Sequence, residues 1–243
     1  MTGHVICLWS GPRNVSTALM YSFAQLDDVD VVDEPLYAHY LRVSGREHPG
    51  RDEVLASQDA DGDRVMRQLL KSKRRGRALF AKQMAHHLVD LDRRFLSGTT
   101  NVLLVRDPKE MLPSLTIQIP SATLADTGLR QQWELYLELE ASGAAPAVLD
   151  ARELLLNPAG VLSTLCALIG VRYSDSMLRW KAGPRPEDGV WARYWYHAVH
   201  RSTGFQPFQP KDTFPSHLEP LLAQCAPWYD KLLNKAIKAD AAT

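Results

Sequence analysis

The sequence predicts an α/β protein of three layers, α/β/α, around a central parallel sheet of about five strands. Three observations predict it. Short β-branched apolar runs recur along the chain, helical patterns separate them, and turn residues or a proline close several of them. Runs without polar alternation belong to strands covered on both faces, as in parallel sheets. With 243 residues, 45% apolar and 23% charged, the chain suits one large domain, 1–243, with a full core.

The first run, Val5 to Trp9, is broken by Ser10-Gly11-Pro12. After Arg13 and Asn14 a helix is predicted, because Val15, Leu19, Phe23 and Leu26 fall at spacings of four, four and three. Val29 to Val32 forms the second strand and ends in Asp33-Glu34-Pro35, where the proline biases Glu34 towards extended backbone. A helix begins over Tyr37 to Val43. Residues 44–63, rich in charge and glycine, read as a polar connection of low structural content. Arg64 to Leu70 is helical, and Lys71 to Arg77 is a solvated basic run. The third strand spans Ala78 to Lys82, and Gln83 to Leu91 is a loop running into a helix. Asn101 to Val105 is the cleanest buried strand. In Arg106-Asp107-Pro108 the aspartate can cap a helix whose first position the proline takes, and Pro113 interrupts or kinks that helix. An irregular insertion over 117–128 precedes a helix from Leu129 to Ala141. Ala147 to Leu149 is the fifth strand, and Pro158 to Ile169 is a helix closed by Gly170. A short helix follows Ser174, then an aromatic cluster of Trp191, Tyr194, Trp195 and Tyr196, and a last helix from His217 to Lys238.

Charge narrows the functional classes. Lys plus Arg equals Asp plus Glu, 28 each, so no global field draws the protein to nucleic acid or a membrane, and any anion site is local. Three distant cysteines, Cys7, Cys166 and Cys225, argue against a disulfide framework and for a reducing, cytoplasmic setting. The first apolar run is far too short to span a bilayer and lacks a basic region ahead of it.

The first strand, tight loop and helix outline a phosphate cradle. The first N–H groups of a helix have no partner within it, and the helix dipole favours an anion there. Arg13 adds full charge, and Ser16 and Thr17 add hydroxyl donors. In open parallel sheets ligands bind beyond the carboxyl ends of the strands. That rule gathers Arg13, Glu34, Lys82 and Arg106 around one crevice, a set suited to an anionic cofactor and one proton acceptor. A nucleoside-triphosphatase loop needs a second glycine and a lysine, which Ser16 and Thr17 displace. Cys7 and Arg13 match a phosphatase spacing, but Cys7 lies inside the apolar strand, where cysteine behaves as a small hydrophobe.

Pro12-Arg13-Asn14-Val15-Ser16-Thr17 resembles the 5′-phosphosulfate loop of sulfotransferases that use 3′-phosphoadenosine-5′-phosphosulfate (PAPS), with Val15 where a glycine is common. Asn101 to Leu115, NVLLVRDPKEMLPSL, resembles that family's 3′-phosphate strand: Arg106, Pro108 and Ser114 keep its spacing. Val148 to Gly170 is also similar to the region that follows in the family. The resemblance implies a P-loop sulfotransferase-like fold and a metal-free, in-line transfer of a sulfuryl group from PAPS to a small-molecule or carbohydrate hydroxyl, leaving 3′-phosphoadenosine-5′-phosphate (PAP). It implies that Arg13, Asn14, Ser16 and Thr17 hold the 5′-phosphate, that Arg106 and Ser114 hold the 3′-phosphate, and that Arg13 neutralises charge on the bridging oxygen. Asp33-Glu34-Pro35-Leu36 resembles a segment of carbohydrate sulfotransferases, which makes Glu34 the expected base with Lys82 assisting at the transferring group. Other members place a histidine two residues after that lysine. Met84 stands there, and His86 and His87 remain alternative bases. No Arg-Lys-Gly triplet closes the chain, and Arg201 is the expected stand-in. Two other readings stay open: a small-molecule kinase or related nucleoside-triphosphate enzyme, and a nucleotide-binding module without turnover.

Overall fold

Along β1, His4–Ser10, successive side chains enter different cores: Val5, Cys7 and Trp9 join one, Ile6 and Leu8 the other. The same split recurs in β4, Thr100–Val105, with Leu103 and Val105 on one face and Val102 and Leu104 on the other. A strand apolar on both sides is what a sheet with helices on both faces requires. The computed structural model describes residues 3–72, 74–211 and 213–239.

Five parallel strands form the sheet: β1, β2 (Val29–Asp33), β3 (Ala78–Met84), β4 and β5 (Ala147–Asp150), in the order β2-β3-β1-β4-β5. The expected three-layer architecture and all five strands are present. From β1 the chain crosses to β2 and β3 on one side, then to β4 and β5 on the other, so the carboxyl end of β1 lies where the strand order reverses.

The helices, in chain order, are α1 (Ser16–Phe23), α2 (Tyr37–Ser44), α3 (Arg51–Ser57), α4 (Gly62–Lys71), α5 (Pro108–Gln118), α6 (Leu124–Thr127), α7 (Leu129–Ala141), α8 (Ala151–Leu156), α9 (Pro158–Ile169), α10 (Ala192–Trp195), α11 (His197–His200) and α12 (Glu219–Leu233). Side chains of α4, α5, α7 and α12 fill one core, and those of α1 and α9 fill the other. None of the described helices is long and apolar enough to cross a membrane.

Several elements differ from the sequence reading. The 44–63 segment holds α3, which buries Val54 alone and so shows no apolar periodicity; Gly50, at φ 77°, turns the chain into it. β3 runs on to Met84, and a 3₁₀ turn, Ala85–His87, replaces the expected helix. The 117–128 insertion carries α6, closed by reciprocal Thr123 and Asp126 capping bonds. α5 continues through Pro113, with buried Met111, Leu112 and Leu115 holding both halves to the core. α8 was not expected. It starts where Asp150 accepts hydrogen bonds from the N–H groups of Arg152 and Glu153. The element after Ser174 is a 3₁₀ turn, Asp175–Leu178, and the last helix starts after another 3₁₀ turn, Ser216–Leu218, and ends at Leu233.

Candidate active site

The loop between β1 and α1 is shaped by its neighbours. Gly11 has the backbone oxygen of Thr127 where a Cβ would approach to 2.6 Å, so no larger residue fits without a shift of the loop. Arg13 sits at φ 52°, a left-handed conformation rare outside glycine, asparagine and aspartate. Asn14 donates to the Leu104 carbonyl (3.0 Å) and accepts from the Val15 N–H (2.8 Å), which ties the loop to β4. Where β1 and β4 part, the Gln132 amide donates to the Trp9 and Leu104 carbonyls, 2.9 Å each. The loop is therefore braced from both strands.

Four positive elements meet at this corner. No side chain caps the start of α1 and its first turn has no acidic residue, so its first N–H groups stay available to an anion. Arg106 donates through Nη1 to the Arg13 carbonyl (3.1 Å), which sets the two guanidinium groups beside one cleft. Arg13 Nε is buried without a partner. Lys211 reaches the same place, its Nζ donating to the Glu110 carbonyl (2.7 Å), while a Glu110 carboxylate oxygen stands 4.0 Å from Arg106. Burial weakens the hold of all three cations on their protons: Arg13 is lowered by burial and then by Arg106, and Arg106 by burial against the pull of Glu110. Lys211 is lowered by burial, opposed by Glu110 and helped by both arginines. Three crowded, partly desolvated cations are a site that gains from an anion.

Opposite them lies a buried ion cluster. Asp33 and Lys82 are register partners across β2 and β3. The Lys82 ammonium, 1% exposed, donates to Asp33 Oδ1 (2.8 Å), Glu34 Oε1 (2.5 Å) and the Tyr196 hydroxyl (2.5 Å). An ammonium has three protons, and all three are engaged. Tyr196 in turn donates to Asp33 Oδ2 (2.7 Å). Burial alone would lower Lys82, but the Asp33 and Glu34 carboxylates outweigh it and hold the lysine at about 12. Burial pushes Glu34 above the ordinary carboxylate range, with Lys82 opposing and Asp33 adding to the rise. Glu34 is held at φ 37° by its N–H bond to the Lys82 carbonyl (2.8 Å), and its side chain faces the cleft.

The cleft encloses about 510 Å³. Beyond Glu34 its wall is made of rings: His87 stacks on Tyr37 and Tyr40, at 5.0 and 4.6 Å, and His48 and Trp195 follow. Cys7 is fully buried in β1, its thiol pushed up to about 12 by burial, so it has no part in the site.

The structure brings Arg13, Asn14, Ser16, Thr17, Glu34, Lys82, Arg106 and Ser114 to this one cleft, together with His86 and His87. Within it, the side-chain bonds of Asn14 brace the loop, Lys82 is fully engaged with its neighbours, and Ser114 turns its hydroxyl to the Met111 carbonyl (2.9 Å). Arg201 is exposed and stands away from the cleft; Lys211 lines it instead. The segment that brings Lys211 in begins just after Arg201, and its single lysine between prolines gave no motif. Asp33 and Tyr196 were also missed as members of the ion cluster, although the aspartate adjoins Glu34 in sequence.

Comparison with known proteins places this arrangement. In architecture the chain matches the sulfotransferase domain of the Synechococcus PCC 7002 olefin synthase, 17% identical, over 92% of this chain and 94% of that one, with a TM-score of 0.52. It matches a sulfotransferase from Alicyclobacillus acidocaldarius equally, 16% identical over 95% and 96%, TM-score 0.52. The fold is thus the P-loop-like α/β fold of sulfotransferases. A family model described as a sulfotransferase domain matches residues 4–238, and the chain belongs to that family. Two Arabidopsis thaliana proteins named branched-chain-amino-acid aminotransferase-like proteins 2 and 1 are 40% and 41% identical over 230 residues. Those matches take in 94% of this chain and 41% of each relative, so the chain spans about two-fifths of their length.

Proposed function

We propose that the protein transfers a sulfuryl group from PAPS to an acceptor hydroxyl. One observation carries the reading: Arg13 and Arg106, from two strand-to-helix corners, converge on one cleft beside the open start of α1. Two separated cationic corners suit a nucleotide with phosphate at both ends. The orphaned Arg13 Nε and the protons of both arginines, weakened by burial, mark a site that fits such an anion. PAPS supplies the activated sulfuryl group. The start of α1, Arg13, Ser16 and Thr17 would hold its 5′-phosphosulfate end, and Arg106, Ser114 and Lys211 its 3′-phosphate.

The chain's own groups do the rest by position and charge. Arg13 offsets negative charge that grows beside the 5′-phosphate. Glu34, raised by burial, takes the acceptor proton. Lys82 acts on Glu34 rather than on the transferring group, because each of its protons already has an acceptor. Asn14 supports the loop from behind.

The names of the Arabidopsis relatives raise amino-group transfer. On an imine-forming cofactor that chemistry needs a lysine amine that can lose its proton. Lys82 is held at about 12 between two carboxylates, and the cleft does not fit that role.

Thermal stability of the chain titrated with PAP and with ATP, each with and without magnesium, tests the reading. A rise with PAP alone, independent of magnesium, is expected, followed by transfer of label from PAPS to a hydroxyl acceptor. A rise with ATP and magnesium alone identifies a nucleoside-triphosphate enzyme, and PAP binding without transfer to any acceptor identifies a binding module.

A further inference from the structure

A closed excursion of the chain carries Tyr196 into the site. Its two ends are tied together: Arg179 bridges Gly204, the Trp180 N–H donates to the Thr203 carbonyl (3.1 Å), and the Gly183 N–H donates to the His200 carbonyl (2.8 Å). Between these ties Asp188 accepts from the Tyr21 hydroxyl of α1 (2.6 Å), which pins the excursion to the helix behind the Arg13 loop. Two consecutive residues then touch both parts of the site. The Trp195 carbonyl accepts from Arg13 Nη1 (3.5 Å), and the Tyr196 hydroxyl enters the ion cluster of Lys82, Asp33 and Glu34. We infer that Tyr196 is a positioning residue for the transfer, its hydroxyl fixing the Lys82 ammonium against Glu34, a role that rests on the sulfotransferase reading.

The hydrogen bonds leave no slack around this hydroxyl. Its oxygen accepts from Lys82 Nζ (2.5 Å) and Trp191 Nε1 (3.0 Å), and its proton goes to Asp33 Oδ2 (2.7 Å). A phenol has one proton and two lone pairs, so both capacities are filled and the direction of the bond is set. Asp33 is engaged on both oxygens: Oδ1 accepts from Lys82 (2.8 Å), and Oδ2 accepts from Tyr196 and the Gly189 N–H (3.3 Å). Asp33 is 4% exposed and does not line the cleft, whereas Glu34 does. One carboxylate is thus sealed in as a counterion, and the other is left to face the acceptor. Without the hydroxyl, a Lys82 proton, the Trp191 N–H and Asp33 Oδ2 each lose a buried partner. The ammonium is then drawn to the unfilled Asp33 oxygen and away from Glu34.

The groups that face Glu34 are Lys82 from β3, Asp33 from β2, Tyr37 from α2 and Tyr196. Burial raises both phenols, and the two carboxylates outweigh burial to hold Lys82 at about 12, so these three keep their protons through neutral pH. Burial raises Glu34, and Lys82 and the Tyr196 hydroxyl oppose that rise. Loss of the hydroxyl therefore raises Glu34 further, and a base that holds its proton more tightly is idle to a higher pH.

Tyr196→Phe keeps the ring and removes the oxygen. Turnover is expected to fall about 10- to 100-fold with PAP affinity within about twofold, and the acid limb of the kcat profile is expected to move to higher pH. Glu34→Gln assigns that limb by abolishing it. Unchanged turnover overturns the inference, as does a loss of turnover with the limb in place, which is the mark of packing alone. The carboxyl ¹³C resonance of Glu34, assigned by its absence in Glu34→Gln, is expected to titrate at higher pH in Tyr196→Phe without any acceptor present. Failure of the parent chain to transfer label from PAPS overturns the sulfotransferase reading instead, and this titration still decides whether Tyr196 holds the pair. A third measurement needs only the parent to fold. Its Lys82 ammonium ¹⁵N resonance, assigned by its absence in Lys82→Met, is expected to exchange slowly with water, since each proton has a buried acceptor; rapid exchange overturns the inference.

Discussion

Replacing Lys82 by methionine keeps side-chain length and removes one buried positive charge from between Asp33 and Glu34. At an effective dielectric of about 20, charges 2.5–2.8 Å apart attract by about 6–7 kcal/mol per contact, most of which offsets the desolvation of the partners. Breaking such a pair from one side leaves uncompensated carboxylate, which costs about 3–5 kcal/mol. For a chain of this size that lowers the melting temperature by about 6–20 °C. The loss depends on pH in a definite direction. Burial already raises Glu34 from its ordinary 4.5, and Lys82 opposes the rise. Without the lysine, burial and Asp33 act unopposed, so the carboxyl binds its proton more tightly folded than unfolded. A raised carboxyl stabilises the fold below its ordinary value and loses that contribution as pH climbs through the raised one. Lys82→Met is therefore expected to be less stable than the parent at pH 7 and to recover part of the deficit at pH 5. Lys82→Met with Glu34→Gln, which leaves Asp33 as the cluster's one carboxylate, recovers part of it at pH 7. Urea unfolding at the two pH values measures both. An equal deficit at pH 5 and pH 7, or none at either, refutes the reading of Lys82 as the counterion of this cluster.

Other perturbations separate the remaining roles. Glu34→Gln is expected to lower turnover by about 10²–10⁴ with PAP affinity within about twofold, read from steady-state transfer and calorimetry. Arg13→Ala is expected to lower turnover at least about a hundredfold, far more than PAP affinity; equal losses contradict its role in charge stabilisation. Gly11→Ala drives a Cβ towards the Thr127 oxygen, and the displaced loop is expected to lower the melting temperature and weaken PAP binding together.

Much of this architecture was legible because it is local. Val5 to Trp9 and Asn101 to Val105 carry their burial in composition, and Asp107-Pro108 and Gly170 mark helix ends by backbone chemistry alone. The candidate site was legible as far as strand ends reach: Arg13, Glu34 and Arg106 follow strands, Lys82 lies two residues before the end of β3, and the sheet gathers them. What escaped depends on contacts between distant segments. Tyr196 meets Asp33 from 163 positions away, and Gln132 reaches the Trp9 carbonyl from 123 away; neither leaves a pattern in its own neighbourhood. α3 escaped for a different reason, since a helix that buries one residue has no stripe to read. The aromatic cluster divides: Trp191 and Tyr196 are buried within the fold, whereas Trp195 is partly exposed, and all three line the cleft.

The central claim is that the two arginine corners grip opposite ends of one nucleotide. Calorimetric titration of the parent chain and of Arg106→Ala with PAP and with adenosine 5′-monophosphate tests it most directly. Charge-assisted bonds to phosphate contribute about 1.5–3 kcal/mol, so Arg106→Ala is predicted to weaken PAP about 10- to 150-fold and to leave the monophosphate, which lacks the 3′-phosphate, unchanged within about twofold. Equal weakening of both ligands, or of neither, contradicts the account.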